Sequence, residues 1–181
     1  AIIKSSMIEY SCNIYLKEKE KMNGKSISAW FCPDILVAEE TKRQIEKKKL
    51  NVELITAKTP IKERLEILSK HETGEIECLI SVGVLSEGWD NPNCNIIVHL
   101  RPTLSKVFWG QSVGRGLRSA KNKSKCLVID VSSNYTTFGP VEKLKWKLWN
   151  HRKSYLEFKN RFNWVSKQKY IEDRDFTYML C

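Results

Sequence analysis

The chain is 181 residues long and 41% hydrophobic, and its 31 Lys and Arg outnumber 21 Asp and Glu to give a formal net charge of +10. That size supports one real core with an appendage rather than two full domains, and no apolar run approaches the roughly 18 residues that a membrane span needs. The basic excess points to an anionic partner, because Lys and Arg release counterions from nucleic-acid phosphates on binding.

Residues 1–25 carry the mixed run Lys17-Glu18-Lys19-Glu20-Lys21 and end at Asn23-Gly24, a pattern that predicts a helix leading into a turn and an interdomain connector. The chain begins at Ala1 rather than Met, as a fragment or processed product would, and lacks a basic-then-apolar leader, so a soluble cytoplasmic protein is expected. Ile27 to Cys32 predicts a first strand, and Asp34 is the candidate N-cap of a helix to about Lys49. Val52 to Ile55 is the second strand; Thr59-Pro60 supplies a cap and first turn for a helix to about His71. Glu77 to Ser81, Asn95 to Leu100 and Cys126 to Val131 are three further strands, with a helix over Ser105 to Leu117 before the last. Strands alternating with helices, several of them continuously apolar, predict an α/β fold with a parallel sheet covered on both faces.

Beyond Gly139 the apolar positions Val141, Leu144, Leu148, Tyr155, Phe158, Phe162 and Val165 fall three and four apart, together with His151. That spacing predicts a long helix with a narrow packing stripe. Its other faces are basic and aromatic, including Lys143, Trp146, Lys147, Trp149 and Arg152. The expected organisation is therefore a connector at 1–25, a domain at 26–138 and a helical extension at 139–181. The six cysteines are scattered with no CxxC pair, so they read as core thiols of a reducing compartment, with no metal site expected.

Two blocks carry chemistry. The first is Ser81-Val82-Gly83-Val84-Leu85-Ser86-Glu87-Gly88-Trp89-Asp90, and the second is Gln111-Ser112-Val113-Gly114-Arg115-Gly116-Leu117-Arg118. Gln111, Arg115 and Arg118, at i, i+4 and i+7, share one helix face, while Trp109, Val113 and Leu117 lie roughly opposite. Arg is suited to such a face because its planar fork stays charged and matches phosphate oxygens two at a time. Gly114 and Gly116 each cost about 0.5–1 kcal/mol relative to Ala in a helix, so they mark close backbone approach to something. In open parallel sheets ligands gather at the carboxyl ends of the strands, and both blocks are expected at that edge.

Leu79 to Cys94 (LISVGVLSEGWDNPNC) resembles motif V, and QSVGRGLR resembles motif VI, of superfamily 2 DEAD/DEAH-type helicases, in particular the phage-type and DNA-repair group. Ser28 to Asp34 (SAWFCPD) resembles motif IV, and Pro60 to Arg64 the Glu-Arg element that opens the next helix. The likeness runs over roughly residues 26–131. It implies the C-terminal RecA-like domain of a two-domain motor, a parallel sheet of about five or six strands with a helical extension. By the same resemblance Arg115 and Arg118 reach the ATP phosphates as arginine fingers, Gln111 positions them or the attacking water, and Gly88 and Asp90 line the nucleotide. Ser81 and Val82, with the loops after Cys32 and near Thr59, touch nucleic acid, DNA rather than RNA. ATP and Mg²⁺ are held mainly by an N-terminal RecA-like domain. Gly83 departs from the family, where many members carry Asp.

ATP hydrolysis also needs a phosphate-cradling G-x-x-x-x-G-K-[ST] loop and acidic magnesium ligands. Gly24-Lys25-Ser26 imitates the end of that loop, but Lys19 stands where its first Gly is needed, and a strand follows rather than precedes it. This chain alone is therefore expected to be inactive. Two rivals remain: a nucleic-acid binding module that keeps the fold without the motor, and the duplex-DNA translocase subunit of a restriction system.

Overall fold

A computed structural model describes residues 5–22, 26–85, 89–121, 123–144, 169–173 and 176–180. In chain order these form α1 (Ser5–Lys21), β1 (Ser28–Phe31), α2 (Ile35–Lys47), β2 (Val52–Ile55), α3 (Ile61–Thr73), β3 (Cys78–Ser81), β4 (Ile96–His99), α4 (Lys106–Gly116), β5 (Cys126–Asp130), α5 (Asn134–Phe138), β6 (Lys169–Asp173) and β7 (Phe176–Leu180). The sheet order is β2-β3-β1-β4-β5-β7-β6. All neighbours pair in parallel except β6 and β7, which are antiparallel.

Four of the strands, β1, β3, β4 and β5, are buried at every residue, which is why they read as unbroken apolar runs. Alternate residues serve opposite layers. Trp30, Ile80, Val98 and Ile129 pack with Ile8, Cys12, Tyr15, Ala38 and Ile45 of α1 and α2. Ala29, Leu79, Ile97 and Val128 pack with Ile67, Trp109, Val113 and Tyr135 of α3, α4 and α5. The N-terminal helix is thus a layer of the core. Its Tyr15 meets the Trp30 ring at 5.4 Å and hydrogen-bonds Ser26 Oγ at 2.9 Å.

Local chemistry sets the helix starts. Asp34 Oδ1 accepts from Val37 N at 2.9 Å to cap α2, and Ser105 Oγ accepts from Phe108 N at 3.1 Å to cap α4. Thr59 does not cap α3. Its hydroxyl instead accepts from Thr56 N at 3.0 Å, closing the turn after β2, and α3 starts behind Pro60 and ends at Gly74 with φ 83°. The five described cysteines are all buried free thiols.

The C-terminal region departs from the expected helical extension. Val141–Lys143 is a single 3₁₀ turn, and residues 145–168, with most of the apolar stripe, lie outside the described residues. Residues 169–173 and 176–180 are strands rather than helix. Tyr170, Ile171, Phe176, Thr177 and Tyr178 are aromatic or β-branched, types that favour a pleated surface, and β7 pairs with an edge of β5 that would otherwise leave its backbone groups open.

Candidate functional site

The register defines the edges of the sheet. Ile55, Ser81, Phe31, His99 and Asp130 form one row across β2, β3, β1, β4 and β5 at the carboxyl ends. Three of the four candidate nucleic-acid residues adjoin this row. Ser81 is buried, and its hydroxyl accepts from Leu85 N at 3.1 Å, so it shapes the loop that follows. Val82 N donates to Ile55 O at 3.2 Å, and Cys32 N to Ser81 O at 2.9 Å, which stitches the ends of β2, β3 and β1 together. Cys32 itself is wholly buried, and the surface there comes from Asp34. Thr59 holds the turn after β2, where Arg64 Nη2 donates to the carbonyls of Thr56 at 3.1 Å and Thr59 at 3.3 Å. Gly83, exposed with φ 75°, has open space where a side chain would stand.

The arginines lie elsewhere. A crossover helix runs antiparallel to its strands, so α4 begins at the carboxyl edge and returns the chain to the amino edge. Eleven residues at 1.5 Å each span about 16 Å, the length of a five-residue strand. A Cβ on Gly116 would meet Cys126 Sγ at 2.5 Å and Ile97 Cγ1 at 2.6 Å, near the starts of β5 and β4. Hence the two chemical blocks do not both end at the carboxyl edge. The loop after β3 starts there and travels down to meet the end of α4.

Where they meet, the contacts are specific. Arg115 Nη1 donates to the carbonyl of Trp89, and Arg118 Nη1 pairs with the carboxylate of Asp90. Gln111 is exposed one turn earlier on the same helix, while Trp109 and Val113 are fully buried beneath it. Gly88 lies outside the described residues. Trp89 is a buried wedge, its ring 5.7 Å from that of His71. Asn91 Nδ2 then donates to His71 Nδ1 at 3.1 Å and His71 O at 3.0 Å, and His71 Nε2 donates to Ser28 O at 3.1 Å. Desolvation lowers the His71 pKa to about 4, so the ring is neutral and rigidly placed. His71 and Asn91 carry no sequence signal as supports of the site beyond the Asn-Pro-Asn run after Asp90, whereas Arg64 stands in the Pro60–Arg64 element.

Two other titratable groups lie beneath the edge. His99, stacked on Phe31 at 4.9 Å and bonded to Ser112 Oγ at 2.8 Å, is pushed by burial down to about 3. Burial raises Asp130 to about 6 although it accepts from Tyr135 N at 2.7 Å and from Ser132. The arginine pair fits an anionic polyphosphate. No group of three or more His, Cys, Asp or Glu that could hold a metal ion occurs among the described residues. Nor is any helix among them long and apolar enough to cross a membrane.

The profile of the helicase conserved C-terminal domain family matches residues 6–120. A Saccharomyces cerevisiae protein named as an ATP-dependent helicase, IRC3, is 34% identical over 116 residues, 64% of this chain and 17% of that protein. The curated relatives are much longer; this chain spans about a fifth of the length of each. Among solved structures, the Pyrococcus furiosus Hef helicase domain superposes with TM-score 0.53 at 18% identity, covering 70% of this chain and 26% of that one. The C-terminal domain of the DEAD-box protein Dbp5 superposes with TM-score 0.57 at 16% identity, over 70% and 74% of the two chains. The chain belongs to the helicase conserved C-terminal domain family and has the RecA-like fold of the helicase C-terminal domains it superposes on.

Proposed function

We propose that this chain forms one wall of an ATP-hydrolysing cleft in a nucleic-acid helicase or translocase, the other wall being an N-terminal RecA-like domain of the same protein. The observation that carries this reading is the convergence of Arg115 and Arg118 on consecutive residues of one loop, Trp89 and Asp90. Two guanidiniums held on one short segment can stabilise charge on a transferring phosphoryl group, an effect worth about 10³–10⁵ in rate. Gln111, on the same face, orients the attacking water or the arginines. Asp90 and Gly88 line the nucleotide, and Mg²⁺ is bound by the opposite wall.

Nucleic acid crosses the carboxyl edge, over the turns after Cys32, Thr59 and Ser81-Val82. Main-chain groups there, rather than the buried side chains, face the phosphates. DNA is the favoured substrate, on the likeness of motifs V and VI to the DNA-repair group. Five buried free thiols fit work in the reducing cytoplasm.

The test is ATP hydrolysis by the full-length protein with single-stranded DNA, duplex DNA or RNA, alongside strand separation and triplex displacement. DNA-stimulated hydrolysis with strand separation supports a DNA helicase. Stimulation with triplex displacement but no strand separation identifies a duplex translocase, and nucleic-acid binding without hydrolysis leaves a binding module.

A further inference from the structure

Lys123 sits half-buried between α4 and β5, where an isolated antiparallel bridge joins it to Ala120. Its Nζ donates to two main-chain carbonyls, Pro92 O at 3.1 Å and Arg118 O at 2.9 Å. These carbonyls belong to the two halves of the candidate site. Pro92 lies two residues past Asp90, in the loop that receives both arginines. Arg118 lies just past the last turn of α4, where carbonyls lack helical partners and the helix dipole favours a cation.

A lysine ammonium has three donors and no acceptor, so it can bridge two carbonyls at once. Burying such a cation is costly unless it is well bonded. Burial lowers the Lys123 pKa, and none of the ion pairs among the described residues includes it. Among the described residues its hydrogen-bond partners are two main-chain oxygens of the site.

We propose that Lys123 is a positioning residue for the arginine pair: by bridging Pro92 O and Arg118 O it fixes the Asp90 loop and the Arg118 main chain in one register, so both guanidiniums meet the phosphate pre-set. This rests on the reading of Arg115 and Arg118 as phosphate ligands. Misplacement of a catalytic group by about 1 Å can cost on the order of 100-fold, so a support of this kind has kinetic consequences.

The experiment uses the full-length protein and compares Lys123→Met, Lys123→Arg, Arg118→Ala and the double variant Lys123→Met/Arg118→Ala. Turnover of ATP at saturating nucleic acid, KM for ATP and the thermal midpoint are measured for each. Lys123→Met is expected to lower kcat about tenfold or more with KM and the midpoint near wild type, and Lys123→Arg, a cation that can still donate twice, to recover most of it. Because Lys123 acts through the arginine pair, the double variant is expected to fall less far below Arg118→Ala than Lys123→Met falls below the wild type. The proposal is overturned by wild-type kcat in Lys123→Met, by losses that multiply in the double variant, or by unfolding of both Lys123 variants. Wild-type turnover in Arg118→Ala is a different result, which removes the phosphate-ligand reading itself.

Discussion

Asp90 and Arg118 form an ion pair that joins the loop before β4 to the end of α4, with side chains 51% and 43% exposed. At that exposure an ion pair is worth about 0.2–1 kcal/mol, since water screens it. Asp90→Ala should therefore move the urea midpoint little. Its effect should appear in turnover instead, because Arg118 loses the partner that holds it beside the Trp89–Asp90 segment.

Gly114 and Gly116 separate two meanings of a helical glycine. A Cβ on Gly116 would clash with Cys126 and Ile97, whereas one on Gly114 meets nothing within 4 Å among the described residues. Gly116→Ala should destabilise by about 1–3 kcal/mol through overpacking. Gly114→Ala should stabilise by about 0.5–1 kcal/mol through helix propensity. Denaturant titration of the two variants checks both signs.

The acid response follows from the buried histidines. His71 and His99 titrate near pH 4 and 3 in the folded state and near 6.5 when unfolded. Between those values the unfolded chain binds more protons, so their contribution is present above pH 6.5 and is lost as pH falls toward 4. Asp130, raised to about 6, acts oppositely between its unfolded value and pH 6. With two groups against one, stability should fall on acidification from pH 6.5 to 4, and His71→Gln should flatten that fall. Equilibrium unfolding at several pH values measures the slope.

Arg64 offers a test of the carboxyl edge. Its Nη2 joins the carbonyls of Thr56 and Thr59 and so holds the turn after β2. Arg64→Met removes hydrogen bonds from a charged donor, worth about 1.5–3 kcal/mol in the fold. Nucleic-acid affinity should drop with little change in kcat at saturating nucleic acid, as read from binding isotherms and ATP turnover.

Much of the architecture was readable because its causes are local. Apolar runs marked the buried strands, and Asp34 announced its helix by capping chemistry. The strands at 169–180 were not: β7 pairs with β5 some 50 residues earlier, β6 pairs with β7, and the preceding helical spacing dominated the pattern. Thr59 misled because the same hydroxyl that caps a helix also closes a turn. Periodicity placed Gln111 and Arg115 on one face of α4, whereas Arg118 lies past the helix end at Gly116, and the place of these residues near the amino edge depended on the crossover geometry of α4. Lys123, His71 and Asn91 were invisible for a shared reason. Each bonds at least one group 20 or more residues away, a main-chain carbonyl that carries no residue-type signal.

The most direct measurement is ATP turnover by Arg118→Ala in the full-length protein, with nucleic-acid affinity determined on the same sample. As an arginine finger, Arg118 should cost at least about 100-fold in kcat when removed, with affinity for nucleic acid changed far less. Turnover near the wild-type rate would contradict the assignment of Arg118 to the ATP phosphates.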